Sequence, residues 1–169
     1  MLLRRLMGVK APDTMDKQEF ARRVTQMQGS LYRVAASYLR GESDRLDAVA
    51  EAIARAWEKR GTLRDEALFS TWMTRILIRV CVDIQRKQKR MTPVESLPEI
   101  PKESDSCTAL REAVDSLPQK LRTMVVLYYM EGYEVLEVAR IMGTTKGAVC
   151  AGLSRAREKL RAMLGEEER

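Results

Sequence analysis

Four arginines, Arg75, Arg79, Arg86 and Arg90, recur at intervals of four, seven and four residues. On an α-helix that spacing sets them in one stripe. Between residues 75 and 90 there are six basic side chains and a single acidic one, a local charge of +5. A solvated helix usually alternates its signs, and this one does not. Guanidinium groups in a row suit phosphate oxygens, which they bind through charge-assisted hydrogen bonds. The simplest partner for such a track is a nucleic-acid backbone.

A second basic constellation lies in "VARIMGTTKGAVCAGLSRAREKL", Val138 to Leu160. The stretch reads as two short helices about a tight turn at Gly143, where glycine alone takes positive φ without strain. With Val149, Leu153, Ala156 and Leu160 as the buried face, Gly147, Cys150, Ala151, Ser154 and Glu158 turn outward. Lys146, Arg157 and Arg161 then fall on one flank, and Arg155 and Lys159 on the other. Two basic rails position such a helix against phosphates, while the small residues of the "CAG" centre allow close approach to a major groove. A floor of this kind reads bases by thymine-methyl contact and one serine hydroxyl. The expected helix docks well and discriminates poorly.

Catalysis has little to draw on. The chain holds no histidine, so no Ser-His or Cys-His pair can form, and no glycine-rich phosphate loop occurs. Cys81, Cys107 and Cys150 stand far apart without a CxxC, which argues against a metal site and a disulfide framework. The expected metal, cofactor and small-molecule substrate are therefore none. The opening "MLLRRLMGVKAP" has an apolar run too short for a signal peptide or a membrane span, so the expected location is the cytoplasm. A net charge of +6 over 169 residues favours a polyanionic partner.

The elements that must position these groups are helical throughout. Phe20, Val24, Met27, Leu31, Val34 and Tyr38 repeat at three and four residues and predict a first helix. Ser43 is placed to cap a second, with Leu46, Val49, Ala50, Ile53 and Trp57 on one face. After a loop, "GTLRDEA", a long third helix carries Phe69, Trp72, Met73, Ile76, Leu77, Val80 and Ile84 inward. Residues 91–107, "MTPVESLPEIPKESDSC", hold three prolines and four acidic residues against one lysine, which predicts an extended acidic linker. Beyond it, Leu110, Ala113, Val114 and Leu117, then "QKLRTMVVLYYMEG", then the two helices about Gly143 predict a compact second unit. The expected fold is all-α, with two small helical domains at 15–90 and 108–169 joined by a flexible acidic linker. Residues 1–14 are expected to form a disordered lead.

Taken together, these residues resemble the extracytoplasmic-function (ECF) sigma factors of bacterial RNA polymerase. The carriers are "DAVAEAIARAW", "LFSTWMTRIL", "LREAVDSLPQKLRTMVVLYYMEGY", "EVARIMGTTKGAV" and "LSRAREKL", in this order across residues 20–164. The resemblance implies that the first domain corresponds to sigma region 2, with Asp47, Ala50 and Glu51 on the helix that grips core polymerase. It departs from the family at Ala50, where glutamine is usual. The loop at Leu63-Arg64-Asp65 stands where Phe-Arg-Gly commonly captures a flipped base of the −10 element, and Arg79 stands where asparagine is frequent. The arginine stripe would lie along promoter backbone near that element. The second domain corresponds to region 4, whose last helix enters the major groove of the −35 element through Lys146, Cys150, Ala151, Ser154, Arg155 and Arg157. The family commonly has a basic residue, a serine and an arginine where Cys150, Ala151 and Gly152 stand. A further implied partner is an anti-sigma factor, often membrane-anchored.

Three other readings compete. A standalone DNA-binding regulator needs no region 2 unit. A sigma-like adaptor would use the "CAG" helix against protein, which the basic rails oppose. A Mg²⁺ nuclease would need converging carboxylates, and the helical spacing offers none.

Overall fold

The computed structural model describes residues 15–91 and 106–165. The expected lead at 1–14 and most of the expected linker lie outside the described residues. Helix α1 (Lys17–Ala36) starts where Asp16 accepts a hydrogen bond at 2.8 Å from the Glu19 amide. Met15, just before that cap, and Phe20, four residues into the helix, are both buried, the placement of a hydrophobic staple. Val24, Leu31, Val34 and Ala35 continue the inward face.

Helix α2 (Glu42–Lys59) begins two residues earlier than a Ser43 cap suggests. Gly41 is its N-cap without a side-chain bond, and Glu42 and Asp44 in the first turn supply the negative charge that favours a helix start. The buried stripe also differs from the expected one. Ala48, Ala52 and Ala56 are fully enclosed, whereas Leu46 is 54% exposed and Ala50 is exposed. The reason is close approach: a row of alanines at four-residue spacing admits the neighbouring helix nearer than leucines would. That neighbour is α3 (Phe69–Met91), which buries Phe69, Met73, Leu77, Val80 and Cys81. The connection is ordered by two short 3₁₀ turns, Arg60–Thr62 and Glu66–Leu68. Phe20, Trp57, Phe69 and Trp72 form a chain of ring contacts under it, with centroids 5.2–5.9 Å apart.

The second unit comprises α4 (Ser106–Ser116), α5 (Gln119–Val125), α6 (Val135–Met142) and α7 (Lys146–Gly165). Pro118 is the N-cap of α5, and a π turn at Val126–Met130 carries the chain on to Gly132 at φ 73°. Reciprocal bonding between Glu134 and Glu137 starts α6, and Gly143 ends it in the left-handed region at φ 63°. Thr145 then accepts the Ala148 amide at 3.2 Å and starts α7. Gly152 sits at the crossing of α7 over α5, where a Cβ would strike the Met124 sulfur.

The two units share one continuous core. The Thr74 and Tyr133 hydroxyls lie 2.8 Å apart in its interior. Gln85 donates to the Tyr38 carbonyl at 2.6 Å and to the Gln119 side chain at 3.1 Å. Arg33 grips Glu131 with two bonds of 2.6 and 3.1 Å. Helix α3 is packed by α1, α2 and α6 as far as Gln85, which leaves an outward strip there, and Arg86–Met91 are all exposed.

Candidate nucleic-acid interface

That strip carries the arginine stripe. Arg75, Arg79, Arg86 and Arg90 are all exposed, and among the described residues none pairs with a carboxylate. Four arginines elsewhere do find carboxylates: Arg22 and Arg23 bind Glu19, Arg33 binds Glu131 and Arg55 binds Glu51. Asp83, one helical turn after Arg79, turns away and meets Arg55 at 3.4 Å. Within the described residues the stripe therefore keeps its charge uncompensated.

The first turn of the stripe borders a groove between the end of α2, its 3₁₀ turn and α3, lined by Arg55, Lys59, Thr62, Trp72, Arg75, Ile76 and Arg79. Sequence reasoning assigned Trp72 to the core. The residue is half-buried, packed against Phe69 and lining this groove. Leu63, expected at the loop tip, is half-buried against the core and its amide bonds the Arg60 carbonyl at 3.1 Å, while Arg64 is exposed. Leu63 thus anchors the loop. The neighbouring Arg60 guanidinium stacks 3.8 Å over the half-buried Trp57 ring.

On the other side of α2 a second groove is lined by Asp47, Ala50, Glu51, Arg55, Val80, Asp83, Ile84 and Lys87. It brings Asp47, Ala50 and Glu51 together on one exposed wall. Sequence reasoning missed Arg55 and Asp83, which complete it: Arg55 spans from Glu51 at 2.7 Å to Asp83 and ties the two walls together. The acidic residue in an otherwise basic run was the available signal.

On α7, Lys146, Cys150, Ala151, Arg155 and Arg157 are exposed and Ser154 is half-buried, giving the small-residue floor between basic rails. Gly152 is not part of that floor. It is buried against Met124, so an arginine at this position has no room in the present packing. Among the described residues no cluster of histidine, cysteine, aspartate or glutamate could hold a metal, and no helix is long and apolar enough to cross a membrane.

Comparison with known proteins places this geometry. The family model for Sigma-70 region 2 matches residues 23–91, and that for Sigma-70 region 4 matches residues 107–160. The RNA polymerase sigma factor SigV of Bacillus subtilis is 31% identical over 150 residues, covering 86% of this chain and 90% of that protein. The ECF RNA polymerase sigma factor SigM of Mycobacterium tuberculosis is 29% identical over 155 residues, covering 89% of this chain and 79% of that one. Among solved structures, the sigma factor RpoE of Bartonella quintana, crystallised with the anti-sigma factor NepR, shares the fold with a TM-score of 0.75 at 22% identity, covering 88% and 98% of the two chains. CnrH, solved with the cytosolic domain of CnrY, gives 0.68 at 22% identity, covering 89% and 90%. This chain belongs to the extracytoplasmic-function family of RNA polymerase sigma factors, the subunits that direct promoter-specific transcription initiation.

Proposed function

We propose that the unit at 15–90 binds core RNA polymerase and the −10 element, that the unit at 108–169 binds the −35 element, and that residues 91–107 join them as a linker. Core polymerase takes the groove walled by Asp47, Ala50 and Glu51. Arg75, Arg79, Arg86 and Arg90 hold promoter backbone, and Arg64 and Leu63 border the melted −10 strand. Lys146, Arg155 and Arg157 hold phosphates at the −35 element, with Cys150, Ala151 and Ser154 against the bases. The chain acts in the cytoplasm and catalyses nothing itself. The observation that carries this reading is the pair of basic surfaces, one on each unit of a single chain, whose exposed arginines have no carboxylate partner among the described residues.

An anti-sigma factor is proposed as a further partner. Its support is the complexes in which RpoE and CnrH were solved, together with the exposed apolar side chains of Tyr128, Tyr129, Met130 and Leu136. The test of the main reading is run-off transcription by sigma-free core polymerase supplied with this protein and a promoter library. Products that depend on the protein and share an upstream sequence are expected. Core binding without any product would favour the adaptor, and absence of core binding would overturn the assignment of the acidic groove.

A further inference from the structure

The two grooves along the seam between α2 and α3 have opposite polarity. One carries Asp47, Glu51 and Asp83, the other Lys59, Arg75 and Arg79. Among the described residues Arg55 alone lines both. Its guanidinium meets Glu51, one helical turn back on α2, at 2.7 Å. It also meets Asp83, across the seam on α3, at 3.4 Å. The cation that belongs by charge to the basic groove is thus held by two carboxylates of the acidic one.

This triad is built to exchange partners. The side chains of Arg55, Glu51 and Asp83 are between 38 and 52% exposed, so solvent screens both pairs and neither holds Arg55 firmly. A replacement stands beside Asp83. Lys87 lines the acidic groove four residues further along α3, and it pairs with no carboxylate among the described residues. In the basic groove Arg55 has only cations for charged neighbours, so it gains a partner there when an anion such as a phosphate enters.

We propose that Arg55 couples the two grooves by changing partners. A cationic side chain of core polymerase takes Glu51, Lys87 takes Asp83, and the freed Arg55 turns into the basic groove to meet a promoter phosphate. Occupation of either groove then raises affinity at the other by the same factor. This rests on the polymerase and promoter roles proposed above and adds the residue that links them.

Two experiments test the exchange. In the first, the full chain is titrated with a fluorescein-labelled deoxythymidine dodecamer over a range of salt. Glu51→Gln with Asp83→Asn, which frees Arg55 without polymerase, is expected to tighten binding about fivefold. The slope of log affinity against log salt should steepen by about 0.7, as one added phosphate contact on a single strand requires. Neither change is expected when Arg55→Gln is also present. An unchanged affinity would overturn the inference. So would a gain that survives Arg55→Gln, because the loss of two negative charges would then suffice.

In the second, labelled chain is titrated with core polymerase, with and without a promoter fragment already melted over the −10 region. The fragment should tighten core binding about fivefold more in the parent than in Arg55→Gln. An equal gain in both would overturn the inference and leave the polymerase and promoter roles standing. Absence of core binding by the parent would overturn the assignment of the acidic groove, and this inference with it.

Discussion

The Tyr133 hydroxyl lies 2.8 Å from the Thr74 hydroxyl, joining the start of the second unit's helix pair to the middle of α3. Thr74 is fully buried and Tyr133 nearly so, and burial holds the tyrosine hydroxyl above its ordinary pKa. The promoter elements are nominally about 25 base pairs apart, about 85 Å of duplex at 3.4 Å per base pair. A compact chain of this size has a radius of gyration of about 15 Å. Under the proposed roles the units must therefore part on the promoter, and this bond opposes the parting.

Tyr133→Phe leaves a buried hydroxyl without its partner and should destabilise the isolated protein by about 1 kcal/mol in urea unfolding. Because Thr74 meets water once the units separate, the same change should tighten binding to core polymerase by up to about fivefold. Thr74→Val with Tyr133→Phe should recover much of the stability, since no orphaned group remains. Unchanged core affinity in the single variant would show that the contact persists in the holoenzyme.

Ala50→Gln adds an amide to the exposed wall beside Asp47 and Glu51 without touching the buried alanine stripe. Core affinity is expected to rise by about fivefold, the worth of roughly one hydrogen bond. The melting temperature should stay within a degree or two, because surface substitutions of this kind change stability by less than about 0.5 kcal/mol. A titration of labelled protein with core polymerase measures the first, and a thermal melt the second.

The two described thiols should differ sharply in reactivity. Burial pushes the Cys81 thiol up to about 12, so at pH 8 only about one molecule in ten thousand carries the thiolate, while Cys150 is exposed on α7. Peptide mass spectrometry after a short maleimide pulse should find Cys150 modified and Cys81 intact. The adduct should lower transcription from promoters that require a −35 element, and Cys150→Ser should be immune.

Acid stability has a defined source in Glu19. Hydrogen bonds from Arg22, then Arg23, lower its pKa from 4.5 to about 2. A carboxylate lowered in this way stabilises the fold fully above 4.5 and loses that contribution as pH falls toward 2. Melting temperatures of the parent and Glu19→Gln should differ above pH 4.5 and converge near pH 2. Arg23 also holds the Glu66 carboxylate and carbonyl at 2.6 and 2.8 Å, so the same acid step should loosen the loop bearing Arg64.

Much of this architecture is legible from periodicity. The helices of both units, the turn at Gly143 and the exposed stripe from Arg75 to Arg90 follow from spacing and charge alone. The inner face of α2 does not. Hydrophobicity ranks Leu46 above Ala48, but interhelical distance decides burial, and distance is not written in one helix. The groove containing Trp72 and Arg79 escaped for a related reason. Its walls come from segments some ten to twenty residues apart, brought together by two 3₁₀ turns that leave no periodic trace. Contact between the units depends on Thr74, Gln85 and Tyr133, polar residues whose spacing resembles ordinary solvated positions.

Gly152 sets a limit on how this protein can be given a new promoter preference. Any side chain there must first move the flexible end of Met124, which is 1% exposed, so a change at this position is coupled to repacking of the core. Cys150 and Ala151 carry no such penalty, because both already face outward. Under the proposed −35 role, retargeting of α7 has two adjacent letters to rewrite and a third that is open only if the core beneath it shifts.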